Sequence, residues 1–180
     1  PRDKWMDDNG FDFDVYNKLV EAGLVAAHIP EEFGGGGGDA VTSTIIIHEL
    51  SKGSASLALA VDISWVAADM ILLNGTQAQK EKYLPMATEG KIFAFGLTEE
   101  SAGSDAAGIK SVARKTEDGG WLLNGSKSWI TNSGIADVYI IMAITDPSLG
   151  ANGISAFIVP KETEGLIIGK HEEKMGMRGT

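Results

Sequence analysis

The apolar residues of this chain change their period once, near residue 91, and that change limits the fold more than any other feature. Before it, Phe13, Tyr16, Leu19, Val20 and Leu24 recur at helical spacing, so 12–22 reads as an amphipathic helix ending near Gly23. Asp39 is a suitable N-cap for a second helix over 40–52. Residues 55–73 are apolar nearly all round, which predicts a buried helix stopped at Asn74-Gly75. Thr76 caps a polar helix over 77–84, with Pro85 near its end or kinking it. Between the first two helices, 26–38 reads as a loop holding Pro30 and five consecutive glycines, Gly34 to Gly38, where a flexible turn is expected.

Beyond residue 91 the pattern shortens to period two or to continuous β-branched and aromatic runs. Strands are predicted at 92–97, 111–116, 120–123, 126–130, 138–145 and 155–159, with a weaker one at 165–170. Asp118-Gly119-Gly120, Asn124-Gly125, Ser133-Gly134 and Asn152-Gly153 punctuate them, and Asn-Gly between two β runs is a hairpin signal. Helices followed by strands indicate an α+β protein or two domains, not a doubly wound sheet. The expected division is a helical part over 1–91 and a β part over 92–180.

Charge and composition narrow the function. Fifteen Lys and Arg against twenty-five Asp and Glu give a net charge of −10, which disfavours a nucleic-acid partner but leaves room for a small anion at a local site. Cysteine is absent, so disulfides, zinc thiolates, iron–sulfur clusters and a thiol nucleophile are excluded. His28, His48 and His171 lie far apart without metal-ligand spacing and read as structural. No apolar run reads as long enough to span a bilayer, and Pro1-Arg2-Asp3 does not read as a signal peptide. A soluble intracellular protein, cytoplasmic or of the mitochondrial matrix, with no membrane partner, is the expectation.

Two stretches remain. FGLTEESAGSD, residues 95–105, is too polar for a core strand and too rich in Gly and Ser for a helix interior. It matches neither the G-x-G-x-x-G nor the P-loop pattern. It is either an ordinary loop or a backbone nest at Ala102-Gly103-Ser104-Asp105 that holds a pyrophosphate. KSWITNSGIAD, residues 127–137, places Trp129 and Thr131 at the same parity, hence on one face of the predicted strand. That arrangement suits a flat heteroaromatic ligand, and equally a core Trp beside a strand Thr.

Taken together, LTEESAGSD and NGSKSWITNSGIAD resemble the middle β domain of the acyl-CoA dehydrogenase family. IPEEFGGGG (29–37), GTQAQKEKYLP (75–85) and KMGMRG (174–179) are similar to further segments of that family, so the resemblance spans nearly the whole chain. Glu100-Ser101 departs from it, because many members carry Pro-Gly there. The departure changes the turn chemistry and leaves Thr98, Gly103 and Ser104 in place. The resemblance implies an N-terminal helical domain followed by a small antiparallel β-barrel. It further implies that the C-terminal helical domain is absent and that the chain starts after the first helix or helices.

The same resemblance implies FAD as cofactor. Phe95 to Thr98 would run along the pyrimidine edge of the flavin, with Leu97 and Thr98 bonding its N1/O2 side. Gly103 and Ser104 match positions at the pyrophosphate, and Ser104 also lies on the acyl-CoA path. In the run Trp129-Ile130-Thr131, Trp129 would cover one flavin face and Thr131 would bond near N5. The implied reaction is α,β-dehydrogenation of an acyl-CoA thioester, with electrons passed to an electron-transfer flavoprotein by a homo-oligomer, expected to be a tetramer. The base belongs to the absent domain, so no catalytic residue is nominated here. Glu99 reads as a surface or turn-stabilising carboxylate. Leu59, Asp62 and Ile63 would set the depth of the acyl cavity. Acyl-CoA oxidases and flavin monooxygenases share the scaffold, and a module without flavin is the alternative of a different class.

Overall fold

The computed structural model describes residues 10–180. Asp12 accepts from the Val15 amide at 3.0 Å and caps α1 (Phe13–Glu21), which ends before Gly23 in the left-handed region. Asp39 caps α2 (Ala40–Gly53) through the Thr42 amide, and Ser54 caps α3 (Ala55–Asn74). Thr76 and Gln79 form a reciprocal capping box on α4 (Gln77–Thr88). Pro85 sits in the last turn of α4, near the helix end as expected, and the helix continues to Thr88.

The glycine run departs from the flexible turn expected of it. Short 3-10 turns at Leu24–Ala26 and Glu31–Phe33 lead into it, and its amides are tied back onto them. Gly35 donates to Pro30 O, Gly36 to Ala26 O, Gly37 to Ile29 O and Gly38 to Ala27 O, the last at 2.7 Å. A Cβ at Gly35 would overlap the Ile29 carbonyl, so this is a packed strap in which glycine permits backbone to lie on backbone.

Five strands form one sheet: β1 (Phe93–Gly96), β2 (Val112–Lys115), β3 (Trp121–Asn124), β4 (Val138–Ile144) and β5 (Ile154–Pro160). Along one edge of β4, β5 pairs antiparallel from Val138↔Pro160 to Ile144↔Ile154. The other edge is shared. β1 runs parallel to it from Phe93↔Val138 to Gly96↔Ile141, and β2 meets it in parallel at Val112↔Ile144. β2 and β3 form the hairpin closed at Asp118-Gly119, whose Asp118 accepts from Thr116 Oγ1 and Gly120 N. The α+β order therefore stands, but the closed antiparallel barrel is corrected to an open mixed sheet. The reason is topological: the β2–β3 hairpin is inserted between β1 and β4, so those two strands run the same way.

Two predicted strands are absent. Residues 165–170 are irregular, and so are 126–130. Asn124-Gly125 makes no hairpin. Gly125 has φ 156° and its α-carbon sits against Ser111 so closely that a Cβ would overlap the serine side chain. The chain thereby leaves β3 and crosses the start of β2 instead of pairing again.

α3 is the helix around which both layers pack. It is long and apolar enough, by length and composition, to cross a membrane, which the sequence reading did not anticipate. Here it is a core helix: Leu57, Ala58, Ala60, Val61, Ser64, Trp65, Ala67, Ala68 and Ile71 are all buried. One apolar cluster joins Ala67, Ala68 and Ile71 to Ile29, Leu84, Phe93, Val138 and Ile140. A second joins Leu57, Val61 and Trp65 to Tyr16, Val25, Ile92, Ala94 and Tyr139. Alternate residues of β1 enter different clusters, so this strand is buried on both faces, and its C-terminal end delivers the next loop from a rigid base.

Candidate functional site

β1 ends at Gly96, and the chain turns at once. Glu99 and Ala102 exchange backbone hydrogen bonds at 3.0 and 3.1 Å, which leaves Glu100 and Ser101 as the exposed centre of a two-residue turn. Neither has a positive φ, so Glu-Ser is accommodated there without strain. Beyond the turn, Gly103, Ser104 and Asp105 are exposed. Their amides donate to no backbone carbonyl among the described residues, and a Cβ at Gly103 would meet open space. A short 3-10 turn at Ala106–Gly108 follows, and Ile109 returns the chain to the core.

The carboxylate of Glu99 is the hub beneath this loop. It is 7% exposed and accepts from Lys110 N at 2.6 Å, Ser111 N at 3.0 Å and Ser111 Oγ at 2.6 Å. Its fourth donor is Lys127 Nζ at 2.6 Å. Burial pushes the carboxyl upward, but the Lys127 ammonium, the Ser111 hydroxyl and the two amides outweigh it and hold the pKa at about 2. Glu99 is thus turn-stabilising and buried, with its oxygens committed to structure.

The second motif runs back beside β1. Ser128 N donates to Thr98 O at 2.8 Å, Asn132 Nδ2 donates to Phe93 O at 3.1 Å, and Asp137 N donates to Ile92 O at 2.7 Å. Asn132 also reaches Ala60 O on α3 at 2.8 Å, and Tyr139 Oη donates to Ser133 O at 2.6 Å. Residues 129–131 therefore lie between contacts to Thr98, just beyond β1, and to Phe93 at its start, which brings the two motifs together. They do so without a strand, so the shared-face argument for Trp129 and Thr131 does not hold. Trp129 has φ 59° and is 69% exposed, and Asn132 has φ 68°. An asparagine tolerates the left-handed region; a tryptophan held there is strained and needs a reason.

Phe95 is half-buried against the first apolar cluster and Ile130 against the second. Leu97 and Thr98 contribute carbonyls that hold the second motif. No hydrogen bond within the described residues engages the hydroxyls of Thr98, Ser104 or Thr131, so they are available to a ligand. Two residues that matter here escaped the sequence reading. Lys127 and Asn132 are ordinary polar letters in a predicted strand and turn, and only their burial distinguishes them.

A separate cavity of about 340 Å³ opens between α2 and α3, lined by Ser43, Thr44, Ile47, His48, Asp62 and Trp65. Burial raises the Asp62 carboxyl from its ordinary value. Of the three residues expected to set an acyl cavity's depth, Asp62 lines this one, whereas Leu59 and Ile63 are not among its walls. Among the described residues no three His, Cys, Asp or Glu side chains gather as a metal site. His28 packs against Trp65 with the rings tilted by 45° and their centroids 4.8 Å apart, and its Nε2 lies 3.1 Å from Asp69.

The family model for the acyl-CoA dehydrogenase N-terminal domain matches residues 1–91, and that for the middle domain matches 94–180. The chain belongs to the acyl-CoA dehydrogenase family. Among its relatives, an acyl-CoA dehydrogenase of Bacillus subtilis is 43% identical over 172 residues, covering 94% of this chain and 45% of that protein. The structure of butyryl-CoA dehydrogenase from Megasphaera elsdenii superposes with a TM-score of 0.93 at 41% identity, over 98% of this chain and 47% of that one. An acyl-CoA dehydrogenase of Bacillus anthracis complexed with FAD gives 0.84 at 38% identity, over 92% and 28% respectively. The chain therefore spans under half the length of these relatives. In it the loop after β1 and the 127–132 segment form one contiguous surface, floored by Glu99 and Asn132.

Proposed function

We propose that this chain supplies the flavin-holding half of an FAD-dependent acyl-CoA dehydrogenase, an enzyme of fatty acid oxidation in the cytoplasm. In it, 1–91 acts as the helical unit and 92–180 as the β unit. The observation that carries the reading is the convergence of LTEESAGSD and KSWIT at the end of β1, with three uncommitted hydroxyls and a strained, exposed Trp129. The residues present fit the cofactor. The open amides of Gly103 and Ser104 form an anion-accepting loop for the pyrophosphate, and the Ser104 hydroxyl adds a donor that the acyl-CoA path shares. Leu97 and Thr98 would hold the pyrimidine edge, with Phe95 behind them. Trp129 would cover one face with Ile130 anchoring it to the core, and Thr131 would bond near N5.

When bound, FAD supplies the acceptor for the β hydrogen of the acyl-CoA thioester, so that the product is the trans-2-enoyl-CoA. The part played by this chain is fixed hydrogen-bond donors on the side of the ring where negative charge gathers, which favours the reduced form. It contributes no base, so residues 1–180 alone are expected to turn over no acyl-CoA and to hold FAD weakly. The full-length enzyme would act as a homo-oligomer and pass electrons to an electron-transfer flavoprotein.

The test is an absorbance spectrum of the purified full-length protein, followed by turnover of acyl-CoA thioesters under air with oxygen uptake recorded. A bound flavin reduced by acyl-CoA, with little oxygen consumed, supports the dehydrogenase. Stoichiometric oxygen uptake points to an oxidase, and a protein that never takes up FAD overturns the reading.

A further inference from the structure

No strand pairing joins the loop at 97–102 to the segment at 126–131. Three hydrogen bonds do. One runs between backbones, from Ser128 N to Thr98 O at 2.8 Å. The other two come from a single side chain: Lys127 Nζ donates to Leu97 O at 3.1 Å and to Glu99 Oε1 at 2.6 Å. The lysine stem crosses the end of β1, where a Cβ at Gly96 would come within 3.5 Å of Lys127 Cγ and 2.6 Å of Ile141 Cδ1. The side chains of Lys127 and Glu99 are only 8% and 7% exposed. Desolvating such a pair generally offsets its Coulomb attraction, so stability alone is a weak reason for a lysine here.

The two partners are not equivalent. Without Lys127, Glu99 still keeps three donors, Lys110 N, Ser111 N and Ser111 Oγ, which fasten the turn to the start of β2. Lys127, by contrast, is the only side chain of the 126–131 segment that, among the described residues, hydrogen-bonds the 97–99 loop. We propose that Lys127 is a positioning residue of the cofactor site, setting Trp129-Ile130-Thr131 against Leu97-Thr98 so that a bound flavin meets both groups in a preset arrangement. The proposal rests on the flavin reading above. Lys127 acts only through its neighbours; its ammonium is engaged by Leu97 and Glu99 and touches no reacting atom.

The experiment uses the full-length protein and two variants, Lys127→Met and the double variant Glu99→Gln/Lys127→Met. Thermal unfolding of the flavin-free protein, the FAD dissociation constant and the visible flavin spectrum are measured for each. Lys127→Met is expected to bind FAD roughly tenfold more weakly, or worse, with displaced flavin bands. The double variant leaves no uncompensated buried charge. It is expected to unfold at a higher temperature than Lys127→Met and yet to keep the weakened FAD affinity. If Lys127→Met does not fold, the double variant alone decides by the same affinity criterion. Wild-type affinity and spectrum in the variant measured, or joint recovery of stability and affinity in the double variant, would show Lys127 to be merely a charge partner for Glu99. A wild-type protein that binds no FAD overturns the flavin reading, and this proposal with it, and is thus distinct from failure at Lys127 alone.

Discussion

Gly34–Gly38 and Ala102–Asp105 are both glycine-bearing loops, and the fold uses them in opposite ways. In the first, four consecutive amides, from Gly35 to Gly38, are bonded to carbonyls of 26–30, and there is no room for a side chain at Gly35. In the second, the amides of Gly103, Ser104 and Asp105 donate to no carbonyl among the described residues and the space at Gly103 is open. Glycine in the strap allows backbone to pack on backbone; glycine in the loop leaves backbone accessible. Local composition does not separate the two, whereas the destination of each N–H does.

The sharpest way to break this comparison is to add a methyl group to each. Gly35→Ala should destabilise the protein by about 4 kcal/mol, because the new carbon overlaps the Ile29 carbonyl. Gly103→Ala should stay within about 0.5 kcal/mol in the same urea titration while still weakening FAD uptake. Similar stability losses in both would mean that the two loops are alike after all.

Next in size is the hub that holds the accessible loop in place. Glu99 has its pKa lowered from 4.5 to about 2 in the folded protein, so its ionised form stabilises the fold. That contribution, about 3 kcal/mol at neutral pH, is complete above pH 4.5 and is lost as the pH falls through 2. Glu99→Gln should therefore be clearly less stable than wild type at pH 7, with the gap closing as denaturation is repeated from pH 5 down to pH 2. A gap that does not change with pH would remove the ionised carboxylate from the explanation.

Within the accessible loop, Ser104 and Ser101 provide an internal control. Ser104→Ala should weaken FAD retention by about 1.5–3 kcal/mol, the worth of one hydrogen bond to a charged group. Ser101→Ala, at the centre of the Glu99–Ala102 turn, should leave it unchanged in the same equilibrium dialysis. The smallest effect is expected at Thr131. Thr131→Val keeps the branched shape and removes a hydroxyl near the reacting end of the flavin, so stopped-flow reduction by acyl-CoA should slow by roughly tenfold. An unchanged rate places the flavin elsewhere.

Much of the helical half was legible because its signals are local. Asp39 and Thr76 cap their helices as their spacing implies, and the apolar run of α3 is buried as its composition demands. Pro85 lies near the end of α4 as its position implies, and the helix runs on to Thr88 because an internal proline forfeits one hydrogen bond without having to end the helix. In the β half, the strand at 126–130 misled because alternation records which residues sit half-buried, not whether a neighbouring strand is present to pair with them. The segment is anchored by Ser128, Lys127 and Asn132 instead.

What the sequence by itself determined is the order of helices before strands, the caps, the family and the two motifs, all of which follow from residues near one another in the chain. What only the tertiary structure decided is how those motifs meet. The open mixed sheet, the left-handed Trp129 and the buried contact of Glu99 with Lys127, 28 residues apart, depend on partners distant in sequence. A carboxylate or an ammonium acquires its role from the dielectric and the donors around it, and these exist only once β1, β2 and the returning segment have closed over the pair.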